Sequence, residues 1–350
     1  MSNVAADYDI VIGVDTHEDF HVAAIVDART AGELHTVQFE ATDHGYQELM
    51  EVLDRFPALR AWAIEGTASH GIGLTRFLIR AQEQVFEVDR PNRSKRKHGA
   101  KSDVIDALRA AREALGAERL ATPKDPDGPR AELQLLLTAR RLRIAHATDT
   151  ERQLRSFVNT APEAFKARFR GLSLPQMVKK AALLRGSRQM TPLEALHVDE
   201  LRQLAKNAQE LRAQATALER RIRAIVQAWM PGLLTIFGVG PIVAATVLTV
   251  WSHPGRVHSE AALAMLAGTA PIPASSGKQS VPGRHRLNRS GDRHLNSAIY
   301  TIVLARWRHD PRTKAYIERR LAEGKTPREI RRILKRYVTR ELYKHLENAA

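Results

Sequence analysis

The segment Asp9–Asp15, DIVIGVD, is a continuous apolar run bounded by acids, and it constrains this chain more than any other stretch. A run apolar on both faces suits a central strand covered from both sides. Phe20–Asp27 and His35–Ala41 read as two further strands, separated by turn-forming residues. From Asp43 the pattern changes to helical spacing, with Tyr46, Leu49, Met50, Leu53 and Phe56 on one face. A strand Ala61–Glu65, a helix His70–Gln84 and a short strand Val85–Val88 follow, and Ser102 is expected to cap a helix running to Leu115.

Three strands, helix, strand, helix, strand is the order of an RNase H-like fold, so residues 1–125 are expected to form an α/β domain. That order also groups four acids. Asp15 and Glu65 end strands that would be neighbours in such a sheet, and open sheets carry their sites at strand ends. Asp103 and Asp106 lie one helical turn apart and face the same way. Alone, Asp15 or Glu65 reads first as a strand-end acid capping a turn. Together they match a two-Mg²⁺ site for in-line phosphoryl displacement, in which ions roughly 3.5–4 Å apart share several carboxylates.

Charge points to the same chemistry. The formal charge is +15, yet residues 1–56 carry twelve acids against Arg29 and Arg55, a net of −10. From Arg284 to Lys344 there are eighteen Lys or Arg against six acids, and Arg90–Lys101 holds six bases and no acid. Bases clustered in this way fit a polyanion partner, because neutralising phosphates releases counterions. Nucleic acid is therefore the expected partner. The chain has no cysteine, which excludes disulfides, thiolate zinc and a cysteine nucleophile. The N-terminus lacks a signal-like segment and no run reaches the ~18 apolar residues of a membrane span, so a cytoplasmic protein without membrane contact is expected.

Residues 126–229 lose all strand character. Leu201, Leu204, Ala208, Leu211, Ala215, Leu218, Ile222 and Ile225 keep an unbroken 3-4 spacing, the mark of a coiled-coil seam. A helix Ala131–Val158 could be its antiparallel partner, with 162–192 at the tip; an intramolecular hairpin and a dimerisation stalk both satisfy the pattern. In residues 230–350, expected to be mainly helical, IFGVGPIVAATVL reads either as a helix-hairpin-helix unit offering backbone N–H groups to a phosphate or as two packed apolar helices. Beyond it, APIPASSGK precedes a row of arginines. Ser275 and Ser276 there fit an ordinary turn, or an exposed nucleophile in a phosphate-binding setting.

Asp15 in GVDTHEDFH, Glu65 in AIEGT, KSDVIDA, IFGVGPIVAATVL and APIPASSGK followed by HRLNRSGDRHLN together resemble the DEDD transposases of bacterial insertion sequences, the group that also contains the Piv-type DNA invertases. The resemblance covers essentially the whole chain. It implies a RuvC-like N-terminal domain, a coiled-coil linker and a C-terminal transposase domain with a serine that attacks the DNA backbone. Carried onto this sequence, the acids are Asp15, Glu65, Asp103 and Asp106, and the serine is Ser276, with Ser275 as alternative. It also implies double-stranded donor and target DNA selected by a structured bridge RNA. Phosphates would be held by Lys95, Arg96, Lys97 and Lys101 near the acids and by Lys278, Arg284, Arg286, Arg289 and Arg293 near the serine. A serine 170 residues from the acids reaches them only if the chain folds back or a second subunit supplies it, so a homo-oligomer with a composite site is expected. A RuvC-like junction resolvase or nuclease, using water in place of serine, is the rival reading.

Overall fold

The computed structural model describes residues 4–88, 102–273, 285–286, 288 and 290–348. The chain divides into two compact units, Met1–Ala131 with Trp251–Ala262, and Glu132–Val250 with Leu263–Ala350. The first is a mixed α/β unit and the second is mostly helical.

In the first unit a short helix α1 (Val4–Asp7) precedes β1 (Ile10–Thr16), β2 (Phe20–Asp27), β3 (Glu33–Glu40), α2 (Asp43–Leu53), β4 (Arg60–Glu65), α3 (Ile72–Arg80), β5 (Gln84–Val88) and α4 (Asp103–Gly116). The strands form one sheet in the order β3-β2-β1-β4-β5. β1–β2 and β2–β3 are antiparallel, whereas β1–β4 and β4–β5 are parallel. β1 is thus central, as its unbroken apolar run requires.

Strand alternation sorts the core into two layers. Val11, Ala24, Ala61, Ala63 and Phe86 pack against Ala107, Ala110, Ala111 and Ala114 of α4. Ile10, Ile12, Val14, Trp62 and Ile64 pack on the opposite face against Tyr46 and Leu49 of α2 and Leu74 and Leu78 of α3. α3 is shorter than its sequence pattern suggests. Gln82 turns left-handed at φ 58°, Glu83 N–H closes the end onto Leu78 O at 2.9 Å, and Gln84 already pairs with Ala61 in the sheet.

The second unit contains most of α5 (Gly128–Thr160), then α6 (Glu163–Lys166), a 3-10 turn Ala167–Phe169, α7 (Leu174–Ala182) and α8 (Pro192–Trp229). Thr191 and Glu194 form a capping box at the start of α8, with Pro192 at its first position. Arg140–Glu219 at 2.8 Å and Arg212–Glu151 at 2.9 Å join α5 to α8 in opposite order, so the two helices run antiparallel within one chain. Leu154 and Val158 meet Val198, Leu201 and Ala205 towards the tip, where α7 and Phe169 complete the cluster. Of the expected seam, Leu201, Ala208, Ala215 and Ile222 are buried, while Leu204, Leu211, Leu218 and Ile225 are half-buried.

Beyond α8 the apolar stretch before Gly238 is only a 3-10 turn, Pro231–Thr235, and not an α-helix of its own. Gly238 has φ 88° and lies against a later helix, where a Cβ would meet Ile302 O at 3.2 Å. α9 (Pro241–Trp251) then starts with proline at its first position, where no N–H is required. α10 (Glu260–Leu266), α11 (Arg293–His309), α12 (Pro311–Ala322) and α13 (Pro327–Asn348) follow, with the two-residue strands β6 (Ile272–Pro273) and β7 (His285–Arg286) paired antiparallel. Among the described residues, no helix is long and apolar enough to cross a membrane.

Candidate functional site

Asp15 lies at the end of β1 and belongs by alternation to the face that α4 covers. The close approach of α4 depends on residues without bulk. A Cβ on Gly13 would fall 2.1 Å from Ala107 O and 2.5 Å from Ala111 N, so only glycine lets the helix rest on the strand. The alanines of α4 complete that fit, and the first turn of the helix is brought to the strand end. Asp103 and Asp106 occupy this first turn, where the helix dipole favours negative charge. Ser102 stands at the N-cap position with extended backbone, but its side chain makes no capping hydrogen bond; its carbonyl accepts from Ile105 and Asp106 N–H instead.

His17 joins these acids and was not singled out by the sequence. It follows Asp15 by two residues, so it shares the same strand face. Its Nε2 lies 3.3 Å from Asp15 Oδ2 and 3.6 Å from Asp103 Oδ1. The ring stacks on Phe20 at 5.0 Å between centroids, and the His17 backbone N–H donates to Phe20 O at 3.1 Å across the β1–β2 turn. One donor atom from each of Asp15, His17 and Asp103 lies within 4.8 Å of the others. The signal available in the sequence was the i, i+2 spacing of Asp15 and His17 at a strand end.

Asp106 and Glu65 lie outside that tight group. Arg109 holds Asp106 through an NH1–Oδ1 contact of 2.6 Å. Glu65 ends β4, one residue beyond the Val14–Ile64 pair that aligns β4 with β1. Thr16 Oγ1 donates to the Glu65 carbonyl at 2.9 Å, and Gly66, at φ 73°, turns the chain away immediately after it.

Burial pushes the Asp15 carboxyl above its ordinary range; His17 opposes the shift, while the charges of Asp106 and Asp103 add to it. The charges of Asp103 and Asp106 thus add to what disfavours ionisation of Asp15, and a divalent cation would relieve that repulsion. The donor set fits such an ion: carboxylate oxygens suit Mg²⁺ or Mn²⁺, and imidazole extends the range to softer metals.

Lys95, Arg96, Lys97, Lys101, Ser275, Ser276, Lys278, Arg284 and Arg289 fall outside the described residues. Arg286 lies in β7, and Arg293 is exposed in the first turn of α11, beside His294, which contacts Arg141. Asn296 donates to the carbonyls of Ala267 and Gly268 at 2.7 and 3.3 Å, and accepts from Lys335 Nζ at 2.7 Å.

The sequence also did not reveal how Trp251–Ala262 joins the first unit. Ser252, buried and left-handed at φ 75°, accepts from Asp125 N–H at 3.0 Å. Arg256 donates to Thr122 O at 3.2 Å and pairs with Glu87 of β5 at 3.0 Å.

Comparison with known families gives two matches. A model of the DEDD transposases of the IS110 type, described as a transposase, matches residues 12–161, and a model described as the transposase IS116/IS110/IS902 family matches residues 230–318. The chain is 35% identical over 125 residues to the insertion element IS110 uncharacterized 43.6 kDa protein of Streptomyces coelicolor, covering 35% of this chain and 30% of that protein. It is 34% identical over 94 residues to the insertion element IS900 uncharacterized 42 kDa protein of Mycobacterium paratuberculosis, covering 27% and 23% respectively. Each match spans less than a third of the relative's length.

Proposed function

Because this chain belongs to the IS110/IS116 family of transposases, we propose that it cuts and rejoins DNA by phosphoryl transfer. The observation that carries this reading is the meeting of Asp15 with the Asp103–Asp106 turn on one face of a mixed sheet, inside the segment that the DEDD transposase model matches. The strand order supports an RNase H-like, RuvC-like catalytic domain over residues 1–125, followed by a helical region over 126–229 and a serine-bearing domain over 230–350.

Asp15, Glu65, Asp103 and Asp106 would hold Mg²⁺, and a divalent cation bound there supplies positive charge against the charge developing on the scissile phosphate. Arg109 fixes the rotamer of Asp106, and the Thr16 hydroxyl ties the end of β4 to that of β1. Ser276, with Ser275 as alternative, attacks phosphorus: the Oγ–P bond forms, one sugar oxygen departs with a proton, and rejoining repeats the exchange with another strand end. Lys95, Arg96, Lys97 and Lys101 hold the strand that enters the acidic centre. Lys278, Arg284, Arg286, Arg289 and Arg293 clamp phosphates beside the serine. Donor and target DNA are paired by a bridge RNA, and a homo-oligomer assembles the complete site.

The test is to trap a covalent protein–DNA adduct and map the modified residue. A phosphoserine link at Ser276, absent from Ser276→Ala, is the expected result. A Ser275/Ser276 double alanine variant that cleaves at full rate makes water the nucleophile and the protein a RuvC-like nuclease.

A further inference from the structure

The acid quartet leaves His17 without a role, although its imidazole occupies the middle of the site. His17 Nε2 is shielded from solvent and lies 3.3 Å from an oxygen of Asp15 and 3.6 Å from one of Asp103. A shared ion accounts for both distances. Two donors each about 2.1 Å from one cation, 90–120° apart, are separated by roughly 3.0–3.6 Å. The ring is not free to have drifted there, because Phe20 stacks on it and the β1–β2 turn holds its backbone.

We infer that His17 is a metal ligand of the acidic centre, its Nε2 joining Asp15 and Asp103 around one divalent ion. This rests on the metal reading of the centre given above and adds a nitrogen donor to it. The site is then a mixed nitrogen–oxygen one, and such sites favour Mn²⁺ and later divalent ions over Mg²⁺ more strongly than all-oxygen sites do. Glu65 and Asp106 would bind a second ion or complete the shell of the first.

The test loads the full-length protein with Mn²⁺ and reads the ion by electron spin-echo envelope modulation. Wild-type protein should show ¹⁴N modulation that changes to the ¹⁵N pattern when the histidines are ¹⁵N-labelled, and that disappears in His17→Gln. Mn²⁺ affinity should fall about tenfold or more in His17→Gln, with a smaller loss for Mg²⁺. Should circular dichroism show His17→Gln to be unfolded, His17→Asn takes its place, while the isotope exchange needs no variant at all. Mn²⁺ that binds in an Asp103-dependent manner without nitrogen coupling overturns the role of His17 and leaves the metal reading standing. Nitrogen modulation that persists in the His17 variant also overturns it. Wild-type protein that binds no Mn²⁺ removes both.

Discussion

The packing of α4 on Gly13 can be tested by adding one methyl group. In Gly13→Ala the new Cβ would lie 2.1 Å from Ala107 O, 2.5 Å from Ala111 N and 2.9 Å from Ala111 Cβ. Non-bonded heavy atoms settle at about 3.5 Å, so α4 must retreat by on the order of 1 Å. Overpacking of this kind costs about 1–3 kcal/mol. Alanine recovers about 0.4–1 kcal/mol by stiffening the unfolded chain, since the strand backbone tolerates it. The net loss is then about 1–2 kcal/mol, too little to unfold a domain with a stability of about 5–15 kcal/mol. Catalysis should suffer far more. The helix that retreats carries Asp103 and Asp106, and a misplacement of about 1 Å at reacting groups can cost ~10²-fold in rate. Denaturant midpoints and single-turnover cleavage of end-labelled DNA measure the two effects separately. Gly116→Ala is the control: nothing lies within 4 Å of a Cβ there, so it should be neutral or stabilising by up to about 1 kcal/mol. If Gly13→Ala unfolds at the wild-type midpoint and cleaves at the wild-type rate, α4 does not rest on β1 as described.

Asp15→Asn, Glu65→Gln, Asp103→Asn and Asp106→Asn should each abolish strand cleavage in Mg²⁺ while preserving folding and most nucleic-acid affinity; three variants at wild-type rate would sink the assignment. Neutralising Arg284, Arg286 and Arg289 together should weaken binding regardless of sequence and reduce the slope of log K against log salt by about one unit per lost phosphate contact; an unchanged slope puts the nucleic acid elsewhere. Arg256→Met leaves Glu87 half-buried and unpaired and should cost about 3 kcal/mol. Adding Glu87→Gln should recover part of that loss, and a purely additive double mutant would show that the pair is not coupled.

The elements of the sheet were legible because burial left a period in the sequence. β1 is apolar on both faces as the central strand, and Phe20–Asp27 has the bounds it was expected to have. Residues that act through what they lack were not legible. Gly13 reads as an interruption in an apolar strand until α4 is seen above it, and Ala107 and Ala111 read as ordinary helix formers. His17 was hidden for a different reason. It sits in a polar turn, THEDF, where histidine needs no explanation, and only the approach of Asp103 from 86 residues away makes its position chemical. The seam of α8 was visible in its 3-4 spacing, but the choice of partner lay in single charge pairs, Arg140 with Glu219 and Arg212 with Glu151, which no local pattern announces.

The separation of charge along this chain has a mechanistic consequence that chain geometry makes definite. The centre at Asp15, Asp103 and Asp106 is negative, and residues 1–56, Asp15 among them, carry a net −10, so a DNA phosphate approaching it is repelled. A cation in the centre offsets that repulsion locally, and the basic residues must supply the remainder. Not all of them can do so from the same distance. An extended chain spans at most about 3.6 Å per residue, so Lys101 is held within about 7 Å of Asp103, and Lys95 within about 29 Å. Those limits hold whatever conformation the run adopts. Lys95, Arg96, Lys97 and Lys101 are thus tethered to the acidic turn across the length of a few nucleotides, whereas Arg284 and its neighbours have no comparable tether. Phosphates neutralised by the first run would be presented to the acids by the same chain that carries Asp103. Its neutralisation should lower the cleavage rate of bound DNA as well as affinity, and removal of the second cluster should act first on affinity.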